Sequence, residues 1–214
     1  DLGIKNKLLS YHDHTNVLKV NYFLELLKKG TSLAIISDAG TPLISDPGYE
    51  LVSKAIDEKI RVTPIPGPSS VISALVSSGL LTSSFVFEGY APKKNSQLET
   101  FLKNFQYEKR TIILFESPKR IERLTNLIVK ILGPKRKISI AKELTKKFER
   151  IITDEAIEIH NLIKKDETLT RGERVLVIEG SKEKQRISVE YEKVLFNEIQ
   201  KLNGTKVASK NVSK

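Results

Sequence analysis

Several short segments concentrate glycine, proline, hydroxyl and charged residues where apolar runs end, and each offers a distinct chemistry. Ser37-Asp-Ala-Gly-Thr-Pro-Leu-Ile-Ser-Asp-Pro-Gly48 sets two glycines, two prolines, two aspartates, two serines and a threonine behind the apolar run Leu33-Ala-Ile-Ile36. Such a loop lets backbone approach a ligand and supplies amides and hydroxyls, although any strand-to-helix connection also draws on turn residues. Its length exceeds the roughly 2–6 residues usual for those connections. Pro66-Gly-Pro-Ser-Ser70 places hydroxyls and free amides where a helix begins, suited to a carboxylate or a sugar hydroxyl and equally to ordinary capping. Glu116-Ser-Pro-Lys-Arg120 follows the run Ile112-Ile-Leu-Phe115, so a carboxylate and two cations, Lys119 and Arg120, project from a strand end and suit a phosphate. Ala141-Lys-Glu-Leu-Thr-Lys-Lys-Phe-Glu149 repeats the pattern, with Glu143 a proton acceptor and Lys146 and Lys147 contacts for a polyanion, or else a solvated hairpin. Arg171-Gly-Glu-Arg174, before the last apolar run, is a glycine-containing turn suited to border a cleft.

Other chemistries lack their residues. With no Cys there is no disulfide, thiolate zinc site or cysteine nucleophile, and His12, His14 and His160 are too few and too poorly spaced for a metal, so none is expected. The sequence contains no G-x-x-x-x-G-K-[ST], no G-x-G-x-x-G and no G-x-S-x-G, which disfavours common nucleotide-dependent and esterase mechanisms. No run reaches the roughly 18 apolar residues of a membrane span, and the first residues lack a signal peptide's apolar stretch, so a cytoplasmic protein with no membrane partner is expected. Net charge is +10, from 36 basic against 26 acidic residues. Cations cluster over 130–150 while 31–60 is net acidic, a polarity that suits a phosphate-rich partner or, alternatively, a lysine-rich surface kept for solubility.

The elements that position these segments follow from periodicity. Val17, Val20, Phe23, Leu24 and Leu27 predict an amphipathic helix over 16–29 that stops at Gly30. Strands are expected over 33–36 and 61–64, with a helix between them capped by Asp46 and opened by Pro47, and a further helix after 66–70. That alternation predicts an open, mostly parallel α/β sheet with ligands beyond the carboxyl ends of its strands. A second α/β unit is expected, with strands over 85–88, 111–115, 138–141, 149–153 and 174–179 and helices over 97–105, 117–132 and 154–164. The domain reading is 1–82, an N-terminal α/β domain incomplete at its start, then 83–180, a C-terminal α/β domain, then 181–214, a small helical extension with a helix over 188–202 and a basic end.

In order and spacing, the segments at 37–48, 66–70, 115–121, 142–146 and 171–180, with Phe87-Glu-Gly-Tyr-Ala-Pro92, closely resemble the tetrapyrrole methylase family, in its branch that methylates ribose 2′-hydroxyls of bacterial small-subunit (16S) ribosomal RNA. The resemblance spans nearly the whole chain, and the 37–48 loop is its most specific part. It implies a two-domain α/β architecture with a ligand cleft between the domains, S-adenosylmethionine as methyl donor, a cytidine as acceptor in ribosomal RNA or the small ribosomal subunit, and a homodimer. Carried over by motif, the donor site comprises Asp38, Ala39, Gly40, Thr41, Leu43, Ser69, Ser70, Glu116, Ser117 and Leu144. Family members open with a strand, a Thr-Pro-Ile-Gly-Asn-Leu loop, a helix and a Glu-Asp-Thr-Arg segment, none of which is in this sequence. The sequence enters the pattern at about Leu8-Leu-Ser-Tyr-His12 and contains no methionine. The expectation is a chain lacking one wall of the donor site and the sheet's central strand, whether truncated or part of a longer protein.

Methyl transfer from a sulfonium is an in-line displacement helped mainly by alignment. A ribose hydroxyl is a poor nucleophile until its proton leaves, which makes Glu143 the first candidate base and Glu116 the second. Lys93, Lys94, Lys119, Arg120, Lys142, Lys146 and Lys147 are then candidate RNA-backbone contacts. Two other readings stay open: a family methylase acting on a small molecule, and a non-catalytic RNA-binding or ribosome-assembly protein on the same fold.

Overall fold

The computed structural model describes residues 6–12, 17–182 and 196–201, and the chain divides into two compact units, Asp1–Gly180 and Ser181–Lys214. The first unit opens with a helical pair, α1 (Val17–Lys28) and α2 (Tyr49–Asp57). Val20, Phe23 and Leu24 share one face of α1 and are buried against Leu51 and Ala55 of α2, because three- and four-residue spacing lines up side chains on a helix. Gly30 ends α1 at φ +86°, with its N–H donating to Leu27 O (2.9 Å) and that of Thr31 to Leu26 O (3.0 Å). This paired closure favours glycine. The same closure ends α2 on Lys59 (φ 61°), where Lys59 and Ile60 donate to Ile56 and Ala55.

Two expectations for this region are corrected. The segments 33–36 and 61–64 form no strand, so the described part of 1–82 contains no sheet. A strand needs a neighbouring backbone for its N–H and C=O groups, and apolar side chains do not supply one. Ile36 is instead 75% exposed. The second correction is that α2 starts at Tyr49 with Gly48 as its N-cap, and Asp46 and Pro47 precede it. Gly48 sits at φ +135°, and Leu43 occupies the space a Cβ would need at 3.0 Å, so the chain turns into the helix there.

Next come α3 (Ser70–Ser77), β1 (Phe85–Tyr90), α4 (Asn95–Lys103), β2 (Thr111–Phe115), α5 (Ile121–Ile131), β3 (Lys137–Lys142), β4 (Arg150–Glu155), α6 (Ala156–Lys165) and β5 (Arg174–Ile178). All five strands lie within two residues of the sequence expectation at either end. They form one sheet in the order β1-β2-β5-β3-β4, in which only β1 and β2 are parallel. The period-two alternation of strands splits the core. Ile112, Leu114, Ile138, Ile140, Leu176 and Ile178 face α4, α5 and α6, whereas Ile113, Ala141, Val175 and Val177 face Val71, Ala74 and Leu75 of α3. Thr153 Oγ1 contacts both Ser139 Oγ and the carbonyl of Ser78 at 2.8 Å, fastening the end of α3 to the sheet.

In the second unit, residues 196–201 are helical. Most of the helix expected over 188–202, and the basic end at 206–214, lie outside the described residues. No helix among the described residues is long and apolar enough to cross a membrane.

Candidate functional site

Strand register gathers the chemistry at one edge of the sheet. Phe115 pairs with Val175, Val175 with Ala141, and Lys142 with both Arg174 and Arg150. The ends of β2 and β3 therefore lie beside the starts of β5 and β4, with Tyr90 of β1 paired to Phe115. Glu116, the 143–149 loop and the 171–174 turn all leave from this edge.

Glu116 has a fully buried side chain. Its Oε1 accepts from the Ser117 N–H and pairs with Arg120, both at 2.6 Å, while its Oε2 is buried with no partner. Burial pushes this carboxyl above its usual range, opposed by the Ser117 N–H and by Arg120 and Arg123. Arg120 also donates to Ser117 Oγ (2.9 Å) and Ala91 O (3.2 Å), so its guanidinium is largely committed inside the protein. Arg123 holds the next stretch of chain through Lys93 O and Asn95 Oδ1, both at 2.9 Å. Arg174 is buried at the head of β5, donating to the carbonyls of Leu169, Arg171 and Gly172. Burial lowers its pKa, and Glu116 and Glu143 oppose that shift.

Glu143 is held differently. Its Oε1 accepts from the Glu173 N–H (2.8 Å) and from Lys146 Nζ (3.3 Å), and its own N–H donates to Glu173 O (2.9 Å). The Glu173 N–H, followed by Lys146, holds its carboxyl below the ordinary value. Gly172 makes this possible: at φ +79°, a Cβ there would lie 2.6 Å from Glu143 Cγ, Cδ and Oε1.

The two N-terminal loops are linked, because Thr41 Oγ1 donates to Pro68 O at 3.0 Å. The 37–48 loop carries left-handed backbone at Gly40, Leu43, Ser45 and Gly48, and Ser37 Oγ closes it onto Ala39 O and Gly40 O. It reaches β1, since a Cβ on Gly89 would meet Ser45 Oγ at 3.5 Å. Ser69 caps α3 by accepting from the Ile72 N–H at 3.5 Å, and Ser70 opens that helix. Asp38, Ala39, Gly40 and Thr41 are exposed and Leu43 is half-buried. Leu144, like Phe87 and Phe115, packs against the buried cluster on the α3 side of the sheet.

The structure thus joins Asp38–Thr41 to Pro66–Ser70, and Glu116 and Ser117 to the Glu143 turn through the sheet edge. Lys93, Lys94, Lys119 and Lys147 are exposed; Lys142 is buried, and Lys146 is shared by Glu143 and Glu173 (2.9 Å). Sequence reasoning overlooked Arg123 and the buried role of Arg174. An arginine heading the otherwise apolar Arg174-Val-Leu-Val-Ile178 was the available signal, because a cation inside a core strand needs a reason. Among the described residues no three His, Cys, Asp or Glu side chains gather to hold a metal ion.

A five-stranded mixed sheet between helical layers, with charged turns gathered at one edge, makes this an α/β protein with its polar groups at the strand ends. A family model described as Tetrapyrrole (Corrin/Porphyrin) Methylases matches residues 6–159, and the chain belongs to that family. A Pasteurella multocida protein named Ribosomal RNA small subunit methyltransferase I is 41% identical over 178 residues, covering 83% of this chain and 63% of that protein. A Mesorhizobium japonicum protein of the same name is 38% identical over 207 residues, covering 97% of this chain and 70% of that protein. The chain spans about 63% of the length of the first of these relatives. Among solved structures, methyltransferase CobJ is similar at TM-score 0.56 and 15% identity, covering 79% of this chain and 73% of that one. A Thermus thermophilus uroporphyrin-III C-methyl transferase complexed with S-adenyl homocysteine is similar at TM-score 0.51 and 15% identity, covering 79% and 75%. These structural likenesses define the fold.

Proposed function

We propose that this chain transfers a methyl group from S-adenosylmethionine to the 2′-hydroxyl of a cytidine ribose in small-subunit ribosomal RNA. The observation that carries the reading is the extended similarity to relatives named for methylation of that RNA. In this reading 1–82 and 83–180 are two lobes around the donor cleft and 181–214 begins a helical extension. The protein works as a cytoplasmic homodimer on ribosomal RNA or the small subunit.

The residues present suit the donor. The joined loops supply amides, hydroxyls and the Asp38 carboxylate, with Ala39, Gly40, Thr41, Ser69 and Ser70 allowing close approach, and Leu43 and Leu144 offering apolar surface to a purine. Glu116 and Ser117 complete the donor site at the end of β2. When bound, S-adenosylmethionine supplies an electrophilic methyl group, and alignment by these residues provides most of the acceleration. Of the two candidate bases, Glu116 is the better proton acceptor. Burial raises its pKa, whereas the Glu173 N–H and Lys146, both on Oε1, hold Glu143 low. Glu143 then acts as a positioning residue for Leu144 and the 171–174 turn. Exposed Lys93, Lys94, Lys119 and Lys147 make RNA-backbone contacts, with Arg120 shaping the site from beneath.

The test pairs calorimetric titration of S-adenosylmethionine with transfer of labelled methyl to small ribosomal subunits. Glu116→Gln is expected to bind donor yet lose about 100-fold in turnover, and Glu143→Gln to lose less than about 10-fold. Folded protein that binds no donor would refute the reading.

A further inference from the structure

We propose that Phe148, in the loop between β3 and β4, is a stacking platform for an unpaired nucleobase of the RNA substrate, with Lys147 contacting the adjoining phosphate. The inference rests on the RNA-methylation reading and names the part of the substrate this loop receives. Phe148 is 67% exposed, the most exposed phenylalanine among the described residues, and its ring has no polar tip for water to solvate. The loop that presents it is built rather than slack. Glu143 and Thr145 hold left-handed backbone at φ 49° and 65°. A β-branched residue persists there only where its surroundings enforce it. The enforcement is visible on both sides of the ring: Thr145 N–H donates to the Glu149 carboxylate at 2.6 Å, and successive turns close Lys146 onto Glu143 O (3.0 Å) and Glu149 onto Lys146 O (3.1 Å).

Lys146 adds a further brace through Glu143 and Glu173, and Lys147 Nζ stands 5.6 Å from the centre of the Phe148 ring. The partner that fits must offer a flat apolar face next to a negative charge. A nucleobase with its phosphate has that pairing, and a ring flanked by cations is the recurring device for holding unstacked bases. The loop also leaves the sheet edge that carries Glu116, which puts the platform on the side where the acceptor nucleotide must arrive.

The experiment measures fluorescence anisotropy of a labelled single-stranded oligoadenylate RNA of about ten nucleotides and of an abasic ribose-phosphate oligomer of equal length. Phe148→Ala is expected to weaken oligoadenylate binding about 10-fold, leave the abasic oligomer unchanged, and be rescued by Phe148→Tyr. Lys147→Ala is expected to weaken both oligomers and reduce the salt dependence of binding. Equal effects of Phe148→Ala on the two oligomers, or none, overturn the stacking role alone. So does a wild-type dimer that Phe148→Ala dissociates without a base-dependent loss. If wild-type protein holds neither oligomer, the platform falls, whereas the RNA reading stands or falls with methyl transfer to small ribosomal subunits.

Discussion

Replacing Gly172 by alanine tests whether the Glu143 turn is as tightly specified as its geometry requires. Two costs combine. The left-handed backbone at φ +79° penalises any residue with a Cβ, by about 1 kcal/mol. The new methyl group must also displace Glu143 atoms lying 2.6 Å away, an overlap of the kind that costs about 1 kcal/mol or more. Gly172→Ala is therefore expected to lose about 2 kcal/mol, which at a slope of roughly 2 kcal/mol/M lowers the urea midpoint by about 1 M. Placing the same substitution on a Glu143→Ala background removes the overlap and leaves only the backbone cost, about half the shift. A Gly172→Ala midpoint within about 0.2 M of wild type would refute the reasoning, as would an undiminished loss in the double variant.

Lys59 closes α2 in the left-handed region at φ 61° without glycine's freedom. Lys59→Gly relieves that strain but loosens the unfolded chain, so a net gain of roughly 0.5 kcal/mol is expected, read as a higher melting temperature. The Glu108 carboxyl is held at about 2 by hydrogen bonds from Arg110, against an ordinary value of 4.5. A depressed carboxyl stabilises the fold fully above 4.5 and loses that contribution as pH falls toward 2. Glu108→Gln should accordingly flatten the acid limb of a stability–pH curve between those values, and an unchanged limb would count against the pairing.

The parts of the fold that were legible in the sequence are those where a segment's fate depends on its own side chains. Thr111–Phe115 and Arg174–Ile178 are apolar runs that do become core strands, and Val20, Phe23 and Leu24 announce the buried face of α1. Leu33-Ala-Ile-Ile36 looks the same as those strands, yet pairing depends on a neighbour that no local pattern reveals. The start of α2 was misplaced for a related reason. Asp46 and Pro47 satisfy capping chemistry, but Leu43 against Gly48 decides where the helix begins. In the candidate site, charged residues at strand ends were visible by type, and their states were not. Nothing in Glu116-Ser-Pro-Lys-Arg120 says that Arg120 is committed inward to Glu116 and Ala91, and nothing in the 141–149 segment says that Glu173 and Lys146 both engage Glu143 Oε1. The Glu143–Glu173 contact comes from the antiparallel register of β3 and β5, which joins residues thirty positions apart, and the Arg120–Ala91 contact from the parallel pairing of β1 with β2.

The strand order β1-β2-β5-β3-β4 also has a consequence for how the protein is made. Among the described residues, the strand completed last is the one that sits in the middle. Until residues 174–178 emerge during synthesis, β1 with β2 and the β3–β4 hairpin are two separate ribbons, each with an open backbone edge awaiting the same partner. Such nascent edges invite mispairing and slow the final closure. Sheet closure and assembly of the candidate site are then a single late event, because the segment that zips the ribbons together also delivers Gly172, Glu173 and Arg174 to Glu143 and Glu116.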